Sequence, residues 1–275
     1  MNRSVYSVVL SIAGSDSGGG AGIQGDLKTI SALGCFATTA ITAVTVQNTM
    51  GVTMIHPIPA SIVSAQVEAV IEDMKPLAIK IGMVYSAELA HSLVCLLKRY
   101  PMIPVVCDPV MVATSGDRLM REDTISVLKE QLFPLAQLVT PNLDEAGILA
   151  DMDIRNVKDM KLAAEKILLF GSNAVLIKGG HLKGEDLFDV YLNKNGDHNV
   201  FHSKAIKTNN THGTGCSLSS AIASYLALGE TMIDAISKAR IYLQQAIAHG
   251  KDVKTGDGHG PLNHFFDPEK LRIKK

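Results

Sequence analysis

The sequence predicts an α/β protein with a mostly parallel central sheet flanked by helices, in a three-layer sandwich that forms one domain over residues 1–275. Short β-rich apolar runs alternate with amphipathic helical stretches along the whole chain, the pattern of βα units closing on one sheet. Polar motifs recur at the carboxyl ends of those runs, where open α/β sheets bind their ligands. No linker divides the chain, although its length would suit either one large domain or two small ones.

The elements follow in order. Strands are expected at Val5 to Ala13, Thr38 to Val46, Ala78 to Met83, Val105 to Val110, Leu138 to Thr140 and Ala174 to Lys178. Ile23, Leu27, Ile30 and Leu33 recur at helical spacing, and Gly34 supplies the stop. Ser86 is the N-cap of a helix running through Leu89, Leu93 and Leu96. From Leu187 to Phe201 the pattern changes: Phe188, Val190 and Leu192 alternate and Asn195-Gly196 marks a tight turn, so a hairpin at a sheet edge is expected. Helices over about Gly215 to Leu228 and Thr231 to His249 close the domain.

Composition narrows the classes of function. A net charge of −1 with 19% charged residues gives no general attraction to nucleic acid or acidic membranes. The one basic cluster, Lys270, Arg272, Lys274 and Lys275, is expected to be a solvated end. Cys35, Cys95, Cys107 and Cys216 lack metal-ligand spacing and read as reduced thiols, hence a cytoplasmic location. Arg3 with Val5 to Ala13 and the small Ala13-Gly14-Ser15 loosely imitates a secretory signal, but Tyr6, Ser7 and Ser11 dilute it. No run approaches the ~18 apolar residues of a membrane span.

Two glycine-rich motifs carry most of the chemistry. Ala13 to Asp26 follows a strand and contains Gly20-Ala21-Gly22-Ile23-Gln24-Gly25, a formal G-x-G-x-x-G match. Dinucleotide binding also wants an acidic residue about 20 positions on, but Val44, Thr45 and Val46 stand there. The P-loop pattern is missing too. These glycines can bring main chain close to a small ligand, with Asp26 accepting hydrogen bonds from it; a purely structural turn stays open.

Thr211-His212-Gly213-Thr214-Gly215-Cys216 sets two glycines where a helix begins. Unpaired N–H groups and the positive helix end make an anion site, and Cys216 beside it is expected to have a lowered pKa. That arrangement suits phosphoryl transfer, with Gly213, Thr214 and Gly215 stabilising the moving group and Cys216 as proton acceptor. A helix cap followed by a small buried residue is the plain alternative.

At the neighbouring strand ends, Asn142 and Glu145 share the spacing of a capping box. Asp108 at another end raises the prospect of Mg²⁺, which takes oxygen ligands and keeps waters, and Lys178 before two glycines is a cation for phosphate. His212 adjoins the anion turn, while His181, His259 and His264 read as solvated loop residues. The glycine-rich Gly256 to Pro261 either crosses a site mouth or is flexible.

Taken in order, Ala13 to Asp26, Gln47-Asn48-Thr49, Lys80 to Met83, Asp108 to Met111, Thr140-Pro141-Asn142 with Glu145, Lys178 to His181, Thr211 to Cys216 and Gly258 to Pro261 form a highly specific set. From about residue 5 to 264 the chain resembles the hydroxymethylpyrimidine and phosphomethylpyrimidine kinases of thiamine biosynthesis, in the ribokinase-like superfamily. The resemblance implies a ribokinase-like sandwich, ATP with Mg²⁺, an aminopyrimidine substrate phosphorylated twice, and commonly a homodimer. It places Gln47 at the pyrimidine edge, with Gly14, Asp26, Met83 and Val110 lining the pocket. Asp108, Asn142 and Glu145 would organise Mg²⁺, Lys178, Thr211 and Asn142 would meet ATP, and Gly213 to Cys216 would form the anion hole with Cys216 as base. Two departures are small: Gly25 stands where alanine is usual and Ser217 where threonine is usual. An amide such as Gln47 can donate and accept, which matches a ring nitrogen and its exocyclic amine. Pyridoxal kinase, a non-catalytic vitamin-precursor sensor and an NAD-dependent oxidoreductase are the competing classes; the last needs the missing ribose acid.

Overall fold

The computed structural model describes residues 4–111, 120–180 and 185–274; Arg3, His181 and Lys275 lie outside the described residues. The strands are β1 (Val5–Tyr6), β2 (Val8–Asp16), β3 (Phe36–Asn48), β4 (Gly51–Pro57), β5 (Ala78–Ile81), β6 (Val105–Cys107), β7 (Leu138–Val139), β8 (Ala174–Ile177), β9 (Asp186–Asn193), β10 (His198–Lys204) and β11 (Ile273–Lys274). The helices are α1 (Gly22–Ala32), α2 (Ala60–Met74), α3 (Ala87–Leu97), α4 (Glu122–Val127), α5 (Leu143–Ala150), α6 (Val157–Leu168), α7 (Thr214–Ala227) and α8 (Met232–Gly250).

Among the described residues, nine strands form one sheet in the order β10-β9-β8-β7-β6-β5-β2-β3-β4. The middle of the sheet is parallel from β3 across to β8, and each edge is an antiparallel hairpin. The expected hairpin is the β9–β10 edge, turning at Asn195-Gly196, where Gly196 has a φ of 89°. The sequence reading had not anticipated β4, a half-exposed strand that turns back along β3.

Helices cover both faces. Leu10 and Ile12 of β2 point into one core with α2, α3, α5 and α6, while Val9 points into the other with α1, α7 and α8. Strands buried on both faces read as continuous apolar runs, as parallel strands do. Helix α7 lies against β2, β5, β6, α1 and α8. Its small residues Ser217, Ser219, Ser220, Ala221, Ala223 and Ser224 are all buried and permit that close approach.

One position breaks the apolar pattern. β5 reads Ala-Ile-Lys-Ile, and all four residues are buried. Lys80 alternates with Ile79 and Ile81 and so points toward α1 and α7. Its Nζ meets both Asp26 carboxylate oxygens, at 3.0 and 2.8 Å, and both side chains are fully buried. Ser11 of β2 and Ser220 of α7 donate to the same carboxylate at 2.5 and 2.7 Å. One buried charge pair thereby joins α1, α7, β2 and β5.

Both chain ends carry pairing beyond expectation. The strand expected at Val5 to Ala13 divides into β1 and the longer β2, which is a central strand of the sheet. Lys270 and Arg272 of the basic tail are exposed, as expected of a solvated end, but its main chain is anchored: β11 pairs antiparallel with β1, Glu269 N–H donates to Ala32 O, and Arg272 N–H donates to Gly34 O. Main-chain pairing, which a charge count does not reveal, holds it down.

Removing one partner of a buried ion pair strands the other charge. Lys80→Met or Asp26→Ala should each lower the unfolding free energy by about 3–5 kcal/mol, and the combined Lys80→Met, Asp26→Ala variant by less than the two losses added. Urea denaturation of the three variants measures this.

Candidate active site

The carboxyl ends of the parallel strands open into one cavity of about 600 Å³, within the range of small-molecule sites. Every site residue expected from the sequence lines it except Asp26. Asp26 is turned into the buried pair with Lys80, so its role as a pocket residue is corrected: it supports the floor beneath the cavity. Burial pulls the Lys80 pKa down, but Asp26, Cys216 and Asp108 together outweigh that and leave it raised.

One end of the cavity is apolar. Met83 packs with Ala43, Val52, Ile55, Tyr85 and Val110. A Cβ on Gly14 would stand 2.9 Å from the Met83 sulfur, so any side chain there would displace the end of Met83. Gln47 sits where the β3–β4 register shifts, an irregularity that re-aims side chains. Ser17 grips its backbone, donating to Gln47 O at 2.6 Å and accepting from Gln47 N–H at 2.9 Å.

Asp16, which the sequence reading left unassigned, organises the first glycine loop. It accepts from the N–H groups of Gly18, Gly20 and Ala21 at 2.7, 3.1 and 2.8 Å, and its Oδ2 lies 2.8 Å from His212 Nε2. Burial alone would raise its pKa; the bond to His212 and the main-chain donors hold it lowered. The loop and the anion turn are in close contact, since a Cβ on Gly213 would fall 1.9 Å from Gly20 O and one on Gly20 would fall 2.3 Å from the His212 ring. Gly213 also has a φ of 85°, in the left-handed region, and caps α7. A Cβ on Gly25 would lie 2.8 Å from Gly20 O, so the alanine usual at this position would need a small shift of the loop.

Cys216 lies in the first turn of α7 and is partly exposed to the cavity. Its pKa is not lowered. Burial pushes the thiol up, Lys80 offsets part of that, and the Asp26 and Asp108 carboxylates add to it, leaving the value at about 11. The helix end was the visible influence in the sequence; the carboxylates and desolvation come from distant segments.

Beside the turn, Lys178 Nζ contacts Asp108 Oδ1 at 2.6 Å, and Thr140 and Ser219 donate to the Asp108 oxygens at 3.1 and 3.2 Å. The Asp108 pKa is lowered, because Lys178 and Lys80 outweigh its burial. Lys178 is raised, its own burial outweighed by Asp108 and Glu145. Asn142 and Glu145 do form the capping box of α5, with Glu145 N–H donating to Asn142 Oδ1 at 2.9 Å and Asn142 N–H to Glu145 Oε2 at 2.8 Å. Buried and near Asp108, Glu145 is pushed up to about 7. No group of three or more His, Cys, Asp or Glu gathers as a metal cage among the described residues. Two buried carboxylates, one resisting ionisation, suit a hard cation that keeps most of its waters.

The histidines and the C-terminal glycines also differ from expectation. His264 is buried rather than solvated, as is His212 beside the anion turn, and His264 Nε2 lies 3.0 Å from the Ser217 hydroxyl. Burial pulls the His264 pKa down to about 4. The segment Gly256 to Pro261 forms a strap: His259 N–H donates to Thr49 O, Gly258 N–H to Thr49 Oγ1, and His212 N–H to Gly260 O. It ties the turn after Gln47 to the anion turn. Tertiary contacts alone reveal this, because glycine content reads equally as flexibility.

A thiol with a pKa of about 11 is almost wholly protonated at neutral pH. Alkylation of Cys216 by iodoacetamide, followed on its own peptide by mass spectrometry, should accelerate steadily from about pH 7 to about pH 10. A rate already level across that range would mean a lowered thiol.

A family model described as phosphomethylpyrimidine kinase matches residues 16–263. A hydroxymethylpyrimidine/phosphomethylpyrimidine kinase of Rhizobium meliloti is 49% identical over 261 residues, covering 94% of this chain and 97% of the relative. The crystal structure of a phosphomethylpyrimidine kinase from Clostridium difficile is 45% identical with a TM-score of 0.77, over 87% of this chain and 99% of that one. A Staphylococcus aureus pyridoxal kinase in complex with AMP-PCP and pyridoxal is 30% identical with a TM-score of 0.86, over 98% of each chain. With its ordered motifs gathered at one sheet edge, this chain belongs to the phosphomethylpyrimidine kinase family, on a ribokinase-like fold.

Proposed function

We propose that this chain, acting as a single domain, catalyses two successive phosphoryl transfers from ATP. The first acceptor is the hydroxymethyl oxygen of 4-amino-5-hydroxymethyl-2-methylpyrimidine; the second is the phosphate so formed. The observation that carries this reading is the joining, in one cavity, of a flat apolar wall with an amide reader and an anion turn flanked by a lysine and two carboxylates.

Met83 and Val110 hold the ring, with Gln47 at its edge and Gly14 allowing close approach. Gly213, Thr214, Gly215 and the first turn of α7 direct N–H groups at the moving phosphoryl group, and Lys178 and Thr211 meet the nucleotide phosphates. Asp108 and Glu145 would hold Mg²⁺, in part through water, while Asn142 positions Glu145 through the capping box. Bound there, Mg²⁺ would neutralise charge on the phosphate oxygens. Attack of the hydroxymethyl oxygen on the γ-phosphorus breaks the bond to the β-phosphate oxygen, ADP leaves, and Cys216 takes the hydroxyl proton as a thiolate. The resting thiol must first lose its own proton, so this step is favoured by alkaline pH.

Two further features belong to the same proposal. The four cysteines, spaced without any metal-ligand pattern, accord with a reducing, cytoplasmic setting. The outer face of β3 and β4 exposes Val44, Val46 and Met54 at one end of the strand order, and a homodimer would cover it. A second reading, pyridoxal phosphorylation, is favoured by the Staphylococcus aureus relative, whose acceptor also carries a hydroxymethyl on a small aromatic ring.

Initial rates on hydroxymethylpyrimidine, its monophosphate and pyridoxal, with ATP and Mg²⁺, test the assignment; no turnover on any of them defeats it. Cys216→Ala should reduce kcat of the first phosphorylation by about 10²–10⁴ and the second by far less, since that acceptor is already an anion. In the wild type, the first step should rise from pH 7 toward the thiol's value of about 11 while the second stays nearly level. Equal losses or parallel pH profiles would remove Cys216 as base. Gly213→Ala, which forces a Cβ against Gly20 O and a left-handed φ, should instead cost both steps about ten-fold or more in kcat.

A further inference from the structure

Thr45 stands on β3 where a dinucleotide-binding chain would carry its acidic residue, and no part of the reaction described above uses it. It is 5% exposed, lines the cavity, and lies two residues before Gln47 on the same face of the strand. Its hydroxyl oxygen is 2.8 Å from Ser15 O and 3.0 Å from Gln47 Oε1. Both neighbours accept, and the hydroxyl has a single hydrogen to offer them.

Ser15 is itself fixed. Gln24 of α1 donates through Nε2 to the Ser15 hydroxyl at 2.7 Å and accepts the Asp16 N–H through Oε1 at 2.8 Å. A chain of side chains and main chain therefore runs from α1 through Ser15 and Thr45 to the amide of Gln47. Ser17 holds the Gln47 backbone separately. An amide can lie in its plane either way round, and the two orientations exchange its donor and acceptor ends. With Oε1 drawn to Thr45, Nε2 is left as the donor for a ring nitrogen. The second lone pair of Oε1 remains for an exocyclic amine.

We propose that Thr45 is a positioning residue for substrate specificity: its hydroxyl fixes which end of the Gln47 amide meets each polar group of the acceptor ring. An aminopyrimidine presents an acceptor nitrogen beside a donor amine, and only one amide orientation matches that order. A ring without the amine makes no such demand. The inference rests on the reading of Gln47 as the group that meets the pyrimidine edge.

Thr45→Val keeps the shape and removes the hydroxyl, while Thr45→Ser keeps the hydroxyl. Both are compared with Gln47→Ala in the full chain with ATP and Mg²⁺, on hydroxymethylpyrimidine and on its analogue lacking the 4-amino group. Thr45→Val should raise KM for the amino compound about five-fold, the loss of one oriented hydrogen bond, and leave KM for the desamino analogue and for ATP within about two-fold. Thr45→Ser should restore the wild-type preference. Equal losses on the two rings, or a Thr45→Val enzyme as selective as the wild type while Gln47→Ala is not, would overturn the role of Thr45. If Gln47→Ala itself keeps the preference for the amino compound, the reading of Gln47 fails and the inference falls with it.

Discussion

The buried pair between Lys80 and Asp26 is the constraint from which the site is built. A lysine inside a parallel strand is tolerable only if its charge is met, and Asp26 meets it, while Ser11 and Ser220 donate to that carboxylate from two further elements. Satisfying that one ion pair fixes how α1 and α7 sit on β2 and β5. Both helices begin at the cavity, so their N-terminal turns are fixed relative to each other. The same pair supplies the charges felt by Cys216, with Lys80 easing and Asp26 opposing its ionisation.

Above that floor, glycines do positional work. A Cβ on Gly213 would strike Gly20 O and one on Gly20 would strike the His212 ring, and Asp16 closes the contact by bonding both the loop and His212. The acceptor pocket and the anion turn are thus joined by main chain. The strap from Gly256 to Pro261 joins them again through Thr49 and His212. Phosphoryl transfer asks mainly for accurate placement of two anions and an acceptor, and these contacts supply it without any reactive group.

Legibility in the sequence followed the range of the interactions. The parallel core strands, the Ser86 cap, the β9–β10 hairpin and the capping box at Asn142 rest on neighbours within a few residues, and the structure shows them. The partly exposed β4, the pairing of β1 with β11 and the burial of His212 and His264 depend on segments far away in the chain. Asp26 shows the difference sharply. A carboxylate after a glycine loop reads as a ligand group, and only the position of Lys80, 54 residues later, turns it inward.

By itself, the sequence determined the α/β class, the family and the strand ends at which Gly14, Gln47, Asp108, Lys178 and Gly213 to Cys216 would gather, because periodicity and ordered motifs are local properties of the chain. Tertiary structure decided the ionisation and orientation of those groups. It placed Cys216 under desolvation and two carboxylates, pushed Glu145 up to about 7, and set the Gln47 amide against Thr45. Desolvation and hydrogen-bond direction depend on every atom packed around a group, and folding brings those atoms from segments that no local pattern connects.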